Sequence, residues 1–212
     1  MIGDRAPRLR PAPGLHQVTS AVSAADGVLR EIEPEQIRPV IASALARMRP
    51  PAYGDARLSW QRIELSELRS IVHLVRRQRL ESACELLGRF QDAGLGPYAP
   101  VRTAANGETS LVIPPVAESH GADLVLLDGV HRCLAALACG LRSIEVFVVR
   151  GDLPGPPGDV CALAEIGLTS AHPEPERTYR NLRNEDFRRV RDGGGLEAVV
   201  RQEIARLTRE QP

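Results

Sequence analysis

The sequence predicts an α+β fold, a mixed α/β arrangement in which a small mixed sheet carries flanking helices and a helical C-terminal extension. Three observations point to it. The apolar run "DLVLLD" leads into a helix-like stretch from Val130 to Cys139 and then into "SIEVFVV", which reads as strand, helix and strand in quick succession. Upstream, "RRQRLESACELLGRFQDAGLG" sets Leu80, Ala83, Leu87 and Phe90 at helical spacing. A chain of 212 residues, 43% hydrophobic, holds one ordinary core with additions at its ends.

The elements follow in order. Residues 1–55 read as a flexible arm with a short helix in "EQIRPVIASALARM", where Ile41, Leu45 and Met48 share a face. "SWQRIEL" alternates like a strand, and "SELRSIV" predicts one helical turn. The long helix follows and ends at Gly94. "YAPVRT" is a short strand. "TSLVIPPV" is an edge strand or a loop, because two prolines end it. Residues 114–122, "PPVAESHGA", read as an insertion. "DLVLLD" is a buried strand, Gly140 sits where a helix C′ residue belongs, and "SIEVFVV" closes a central domain over 56–151. Over 152–212, "VCALAEIGL", "NEDFRRVRD" and "GLEAVVRQEIARLTRE" read as helices between Pro- and Gly-rich breaks.

Charge and cysteine content narrow the function. Acidic and basic residues balance at 27 each, and every basic one is Arg. That excludes a Lys nucleophile, points to a GC-rich bacterial source, and argues against a broad footprint for duplex DNA. Arg76, Arg77 and Arg79 form a local cluster that suits either a solvated helix face or contact with phosphate. Cys84, Cys133, Cys139 and Cys161 show no metal-ligand spacing and read as small apolar residues of a reducing compartment. The start has no apolar signal core, and no unbroken apolar run reaches the roughly 20 residues of a membrane span. The expectation is a cytoplasmic protein away from membranes.

The chemistry concentrates in "LDGVHRC". The first N–H groups of a helix beginning at Val130 lack intrahelical partners and carry the positive end of the peptide dipoles, so they attract an anion. Gly129 lets a ligand approach the backbone. Arg132 offers a planar fork for two phosphate oxygens. His131 donates to phosphate or carries a proton near neutral pH. Asp128, at the end of the strand, suits either a Mg²⁺ ligand or a proton acceptor; it also suits a plain helix cap.

This motif, with the preceding "IELSELRSIVHLVRRQRLESACELLGRFQDAGLGPYAPV", resembles the ParB/sulfiredoxin superfamily over roughly residues 59–151. Sulfiredoxins carry their catalytic Cys where Val130 stands. Partition-type ParB proteins, which bind CTP, have Gly-Glu-Arg-Arg in place of Gly129 to Arg132 and add a helix-turn-helix module. The Asp-Gly-X-His-Arg form is most similar to the free serine kinase-like branch. That resemblance implies a nucleotide site at Gly129, Val130, His131 and Arg132, with His73 matching the His of a His-Glu pair. It implies catalytic roles for Asp128 and His131, ATP or ADP (or CTP) as the nucleotide, and Mg²⁺ held at Asp128. Leu74 stands where the Glu of that pair belongs, and leucine takes no proton. Two functions therefore stand side by side. One is transfer of phosphate from ATP or ADP to a small hydroxylated metabolite. The other is a non-catalytic nucleotide-binding regulatory module whose protein partner docks on the C-terminal helices. DNA is the least favoured partner.

Overall fold

A computed structural model describes residues 28–50, 52–105 and 108–188, together with Leu196, Val199, Val200 and Gln202 of the C-terminal segment. The part of the predicted arm before Val28 lies outside the described residues.

The described residues of that region begin with a strand. β1 (Val28–Glu31) pairs antiparallel with β5 (Val101–Ala105), which pairs with β6 (Glu108–Val112), so the "TSLV" strand does lie at a sheet edge. α1 (Pro34–Ala46) starts with proline in its first turn, where the missing N–H removes no helical bond. It buries Ile37, Ile41, Ala44 and Leu45 along one face, a stripe set by their three- and four-residue spacing.

The main sheet has six strands in the order β10-β3-β8-β7-β9-β2. They are β2 (Arg57–Glu64), β3 (Leu68–Ser70), β7 (Val116–His120), β8 (Asp123–Asp128), β9 (Ser143–Arg150) and β10 (Cys161–Ala162). A separate parallel pair joins β4 (Leu74–Arg76) to β11 (Gly167–Thr169). α2 (Arg77–Asp92) and α3 (Val130–Ala138) pack on one face of the sheet. Successive residues of β9 show both faces in use. Ile144, Val146 and Val148 enter the core beneath α2 and α3, whereas Phe147 and Val149 enter a second core with α1. The helical residues Leu196, Val199 and Val200 are buried in that second core.

Four local expectations are corrected. "PPVAESHGA" is a central strand and no insertion: β7 runs antiparallel to β8 and parallel to β9, and the β7–β8 hairpin turns through Gly121 at φ +64°. Its prolines sit just before the strand, where the Pro115 carbonyl accepts the N–H of Phe147 at 3.0 Å. "SELRSIV" forms β3 in place of a helical turn, because Leu68 and Ser70 point into the sheet core. "VCALAEIGL" forms β10, a 3₁₀ turn (Leu163–Glu165) and β11, since pairing with β3 and β4 overrides its helical composition. The described part of "NEDFRRVRD" is a turn as well. Pairing across positions 56 and 151 joins the three predicted regions into shared sheets. Among the described residues, no helix is long and apolar enough to cross a membrane.

Candidate functional site

β8 delivers the motif to the end of the sheet, as its apolar pattern predicts. Asp128 is its last residue, and Gly129 turns the chain at φ +94° into α3. The turn is constrained by packing as well as by backbone angle: a Cβ on Gly129 would stand 2.8 Å from the Pro115 backbone. The close approach that glycine permits is therefore made by β7's own leader. Gly129→Ala is expected to cost about 1–3 kcal/mol from the left-handed backbone alone, with the Pro115 clash added, read as a lower urea midpoint.

The side chains of the motif diverge. One Asp128 carboxylate oxygen accepts the Gly129 N–H at 2.6 Å and lies 3.5 Å from an Arg132 guanidinium nitrogen, an i,i+4 pair along the first turn. Asp128 thus ties the turn together. Val130 points to a small cavity of about 90 Å³ that it shares with Glu118, Tyr179, Phe187 and Arg188. His131 lines a different, open cleft of about 570 Å³, which adjoins that cavity at Val72 and Tyr179. His73 does not line that cleft. Its imidazole Nε2 is 3.1 Å from the Asp159 carbonyl, while its backbone joins Thr178 and Gly167 through hydrogen bonds of 2.8 and 2.9 Å.

The cleft carries the strongest chemistry. His131, Arg76, Arg79 and His172 line it, with Glu174 as the one carboxylate among the lining residues. Arg76 and Arg79 at the start of α2 and His131 at the start of α3 line the same cleft, and the two helices pack along each other. The two helices therefore run side by side in the same direction, and both first turns open towards the cleft. Their exposed N–H groups and dipoles add to the arginine charge. The second wall comes from the segment after the central domain. The β4–β11 pair, the Val72–Tyr179 bridge and the His73–Thr178 bond hold Pro173, Thr178 and Tyr179 against it.

His131 is held below its ordinary value near 6.5, first by burial and then by Arg79, Arg132 and Arg76. The folded protein thus favours the neutral imidazole. Stability linked to this residue is present above about pH 6.5 and is lost as pH falls from there towards the folded value, because the unfolded chain then binds more protons. A bound anion offsets the arginine charge, so the His131 imidazole titration followed by NMR is expected to move up when inorganic phosphate is added. No movement at saturating phosphate would place the anion elsewhere.

A second polar cluster was not foreseen. Glu118 on β7 is buried, accepts a short hydrogen bond from the Tyr53 hydroxyl, and pairs with His120 Nε2 at 2.8 Å and Arg188 Nε at 3.2 Å. Burial alone would raise its pKa, but the bonds from His120 and Tyr53 and the Arg188 charge outweigh burial and hold it low. Tyr53 is pushed far up by burial and by the adjacent carboxylate. The cluster is thus an ionised Glu118 satisfied by three donors, and Arg188 also bonds the Pro154 carbonyl at 2.6 Å.

For Mg²⁺ the fit at Asp128 is poor, since the carboxylate faces Arg132 and holds the Gly129 N–H. Among the described residues, no group of three or more His, Cys, Asp or Glu is arranged as a metal site. The arginine charge of the cleft rests with Arg76 and Arg79, which the sequence presents as a cluster without placing it beside His131. In comparisons with known proteins, no family model, no curated protein and no solved structure matches this chain.

Proposed function

We propose that the cleft binds the phosphates of a nucleotide, ATP or ADP by preference and CTP by the same chemistry. The observation that supports this is the convergence of Arg76, Arg79, His131 and His172 at the shared N-terminal end of α2 and α3. Guanidinium forks and helical N–H groups complement phosphate oxygens, and the cleft is large enough for a small ligand. The opposite wall, with Thr178 and Tyr179, contacts the rest of the ligand. On this reading the protein is a nucleotide-binding module, and Asp128 and Arg132 shape the turn that presents His131.

One observation favours a phosphotransferase as a second reading: Glu174 brings a carboxylate to the same cleft. In that reaction an acceptor hydroxyl attacks the terminal phosphorus, the bond to the bridging oxygen breaks, and a carboxylate takes the hydroxyl proton. The Arg76 and Arg79 charges stabilise the transferring group.

Calorimetry with ATP, ADP and CTP, with and without Mg²⁺, tests the binding. Incubation of the complex with small hydroxylated metabolites, followed by mass spectrometry for phosphate gain, separates the two readings. Failure to bind all three nucleotides overturns the proposal.

A further inference from the structure

The small cavity beside the cleft is lined mainly by apolar side chains that distant parts of the chain bring together. Ile71 and Val72 after β3, Leu127 on β8 and Val130 at the start of α3 form one side. Tyr179 and Phe187 close the other, meeting edge-on with ring centroids 5.3 Å apart. Its polar end is Glu118 and Arg188, both buried and both engaged by the protein itself. The Glu118 oxygens accept from Tyr53, His120 and Arg188, and the Arg188 guanidinium also donates to the Pro154, Gly155 and Asp186 carbonyls. A ligand entering here therefore meets apolar surface, and a charge of its own would lose water without gaining a partner. At about 90 Å³ the space is smaller than the roughly 150 Å³ apolar cavity that takes benzene, which suits a branched group of about three to four carbons.

We propose that cavity and cleft together bind a small phosphate ester, with the phosphate in the cleft and a short branched alkyl chain in the cavity. This rests on the reading of the cleft as a phosphate site, and it names the class of hydroxylated compound concerned, a branched aliphatic alcohol. The two spaces are joined. Val72 and Tyr179 line both, and Val130 in the cavity and His131 in the cleft are consecutive on the first turn of α3. A phosphate held at that helix end thus has its ester oxygen beside the cavity mouth, and one small molecule fills both spaces. With a nucleotide as donor, the same ester is the acceptor after it has received the phosphate. Selection follows from the walls: the apolar lining favours an alkyl chain over water, and the cavity volume limits its size.

Calorimetry on the full chain compares inorganic phosphate, methyl phosphate, isobutyl phosphate and aminopropyl phosphate. Each further carbon buried contributes about fourfold in affinity, so isobutyl phosphate is expected to bind roughly ten- to sixtyfold tighter than methyl phosphate. Aminopropyl phosphate, similar in size but cationic at its end, is expected to gain nothing over methyl phosphate. Ile71→Phe fills the cavity and is expected to abolish the preference for isobutyl over methyl. Phe187→Leu enlarges it and is expected to move the preference to cyclohexylmethyl phosphate, which tests the opposite wall should Ile71→Phe fail to fold. Binding of inorganic phosphate with equal affinity for the methyl and isobutyl esters overturns the role of the cavity and leaves the phosphate site standing. Tightest binding of the aminopropyl ester also overturns it, since Glu118 would then draw a cation. So does an isobutyl preference that both folded variants keep unaltered, because the chain then lies elsewhere. Failure of inorganic phosphate, every ester and ATP to bind overturns the phosphate reading of the cleft and this proposal with it.

Discussion

Replacing Arg76 and Arg79 together by alanine is expected to lower ATP affinity by about 10²- to 10⁴-fold. Each guanidinium lines the cleft, and a hydrogen bond to a charged group contributes about 1.5–3 kcal/mol, or roughly ten- to a hundredfold in affinity. The two losses add incompletely, because one phosphate group engages both residues. Arg77→Ala is the control, since Arg77 starts the same helix without lining the cleft and keeps wild-type affinity. Calorimetry reads both variants, with circular dichroism confirming an intact fold. A double variant that binds ATP as the wild type does removes the cleft as the phosphate site. Arg132→Ala is expected to act differently from the sequence-based expectation of a lost phosphate fork: its guanidinium faces Asp128, so its main effect is on the turn.

Arg188→Met is expected to destabilise the protein by about 3–5 kcal/mol, the usual consequence of leaving a buried charge without its partner. Glu118 would keep Tyr53 and His120 but lose the cation that helps hold it ionised. Adding Glu118→Gln should recover part of the loss, because the orphaned charge goes with it. The pH dependence carries the same information. Glu118 is held below its ordinary value, so its contribution is fully present above about pH 4.5 and is lost as pH falls through the folded value. Urea unfolding between neutral and acid pH should show this decline in the wild type and a shallower one in Arg188→Met. Equal slopes would mean that the Glu118–Arg188 pair does not control the titration.

How much of this was legible in the sequence depended on how local the cause was. α2 could be read because Leu80, Ala83, Leu87 and Phe90 repeat at the spacing of a helix that buries one face. The Asp128–Gly129 turn could be read because an apolar strand, a glycine and a helix adjoin. β7 could not. Its Glu118, Ser119 and His120 look like a polar loop, and only the arrival of Tyr53 and Arg188 from distant segments allows a carboxylate inside a sheet. The cleft was half legible for the same reason. His131 announced itself within its motif, whereas Arg76, Arg79 and His172 join it through the parallel lie of two helices and the pairing of β4 with β11. The short strands β3, β10 and β11 have too few residues to show a period, and partners far along the chain decide them.

The shared direction of α2 and α3 has a consequence for selectivity by size. Positive and negative residues cancel over the chain, so at a distance the molecule exerts no net pull on an anion. Screening at physiological salt confines the field of the helix ends and arginines to about 8 Å. On the proposed reading, a duplex at the outer surface would stay outside that range, whereas a small phosphate ester that diffuses into the cleft would enter the field. The discrimination would then lie in where the charge is placed, on a concave surface between two parallel helix ends.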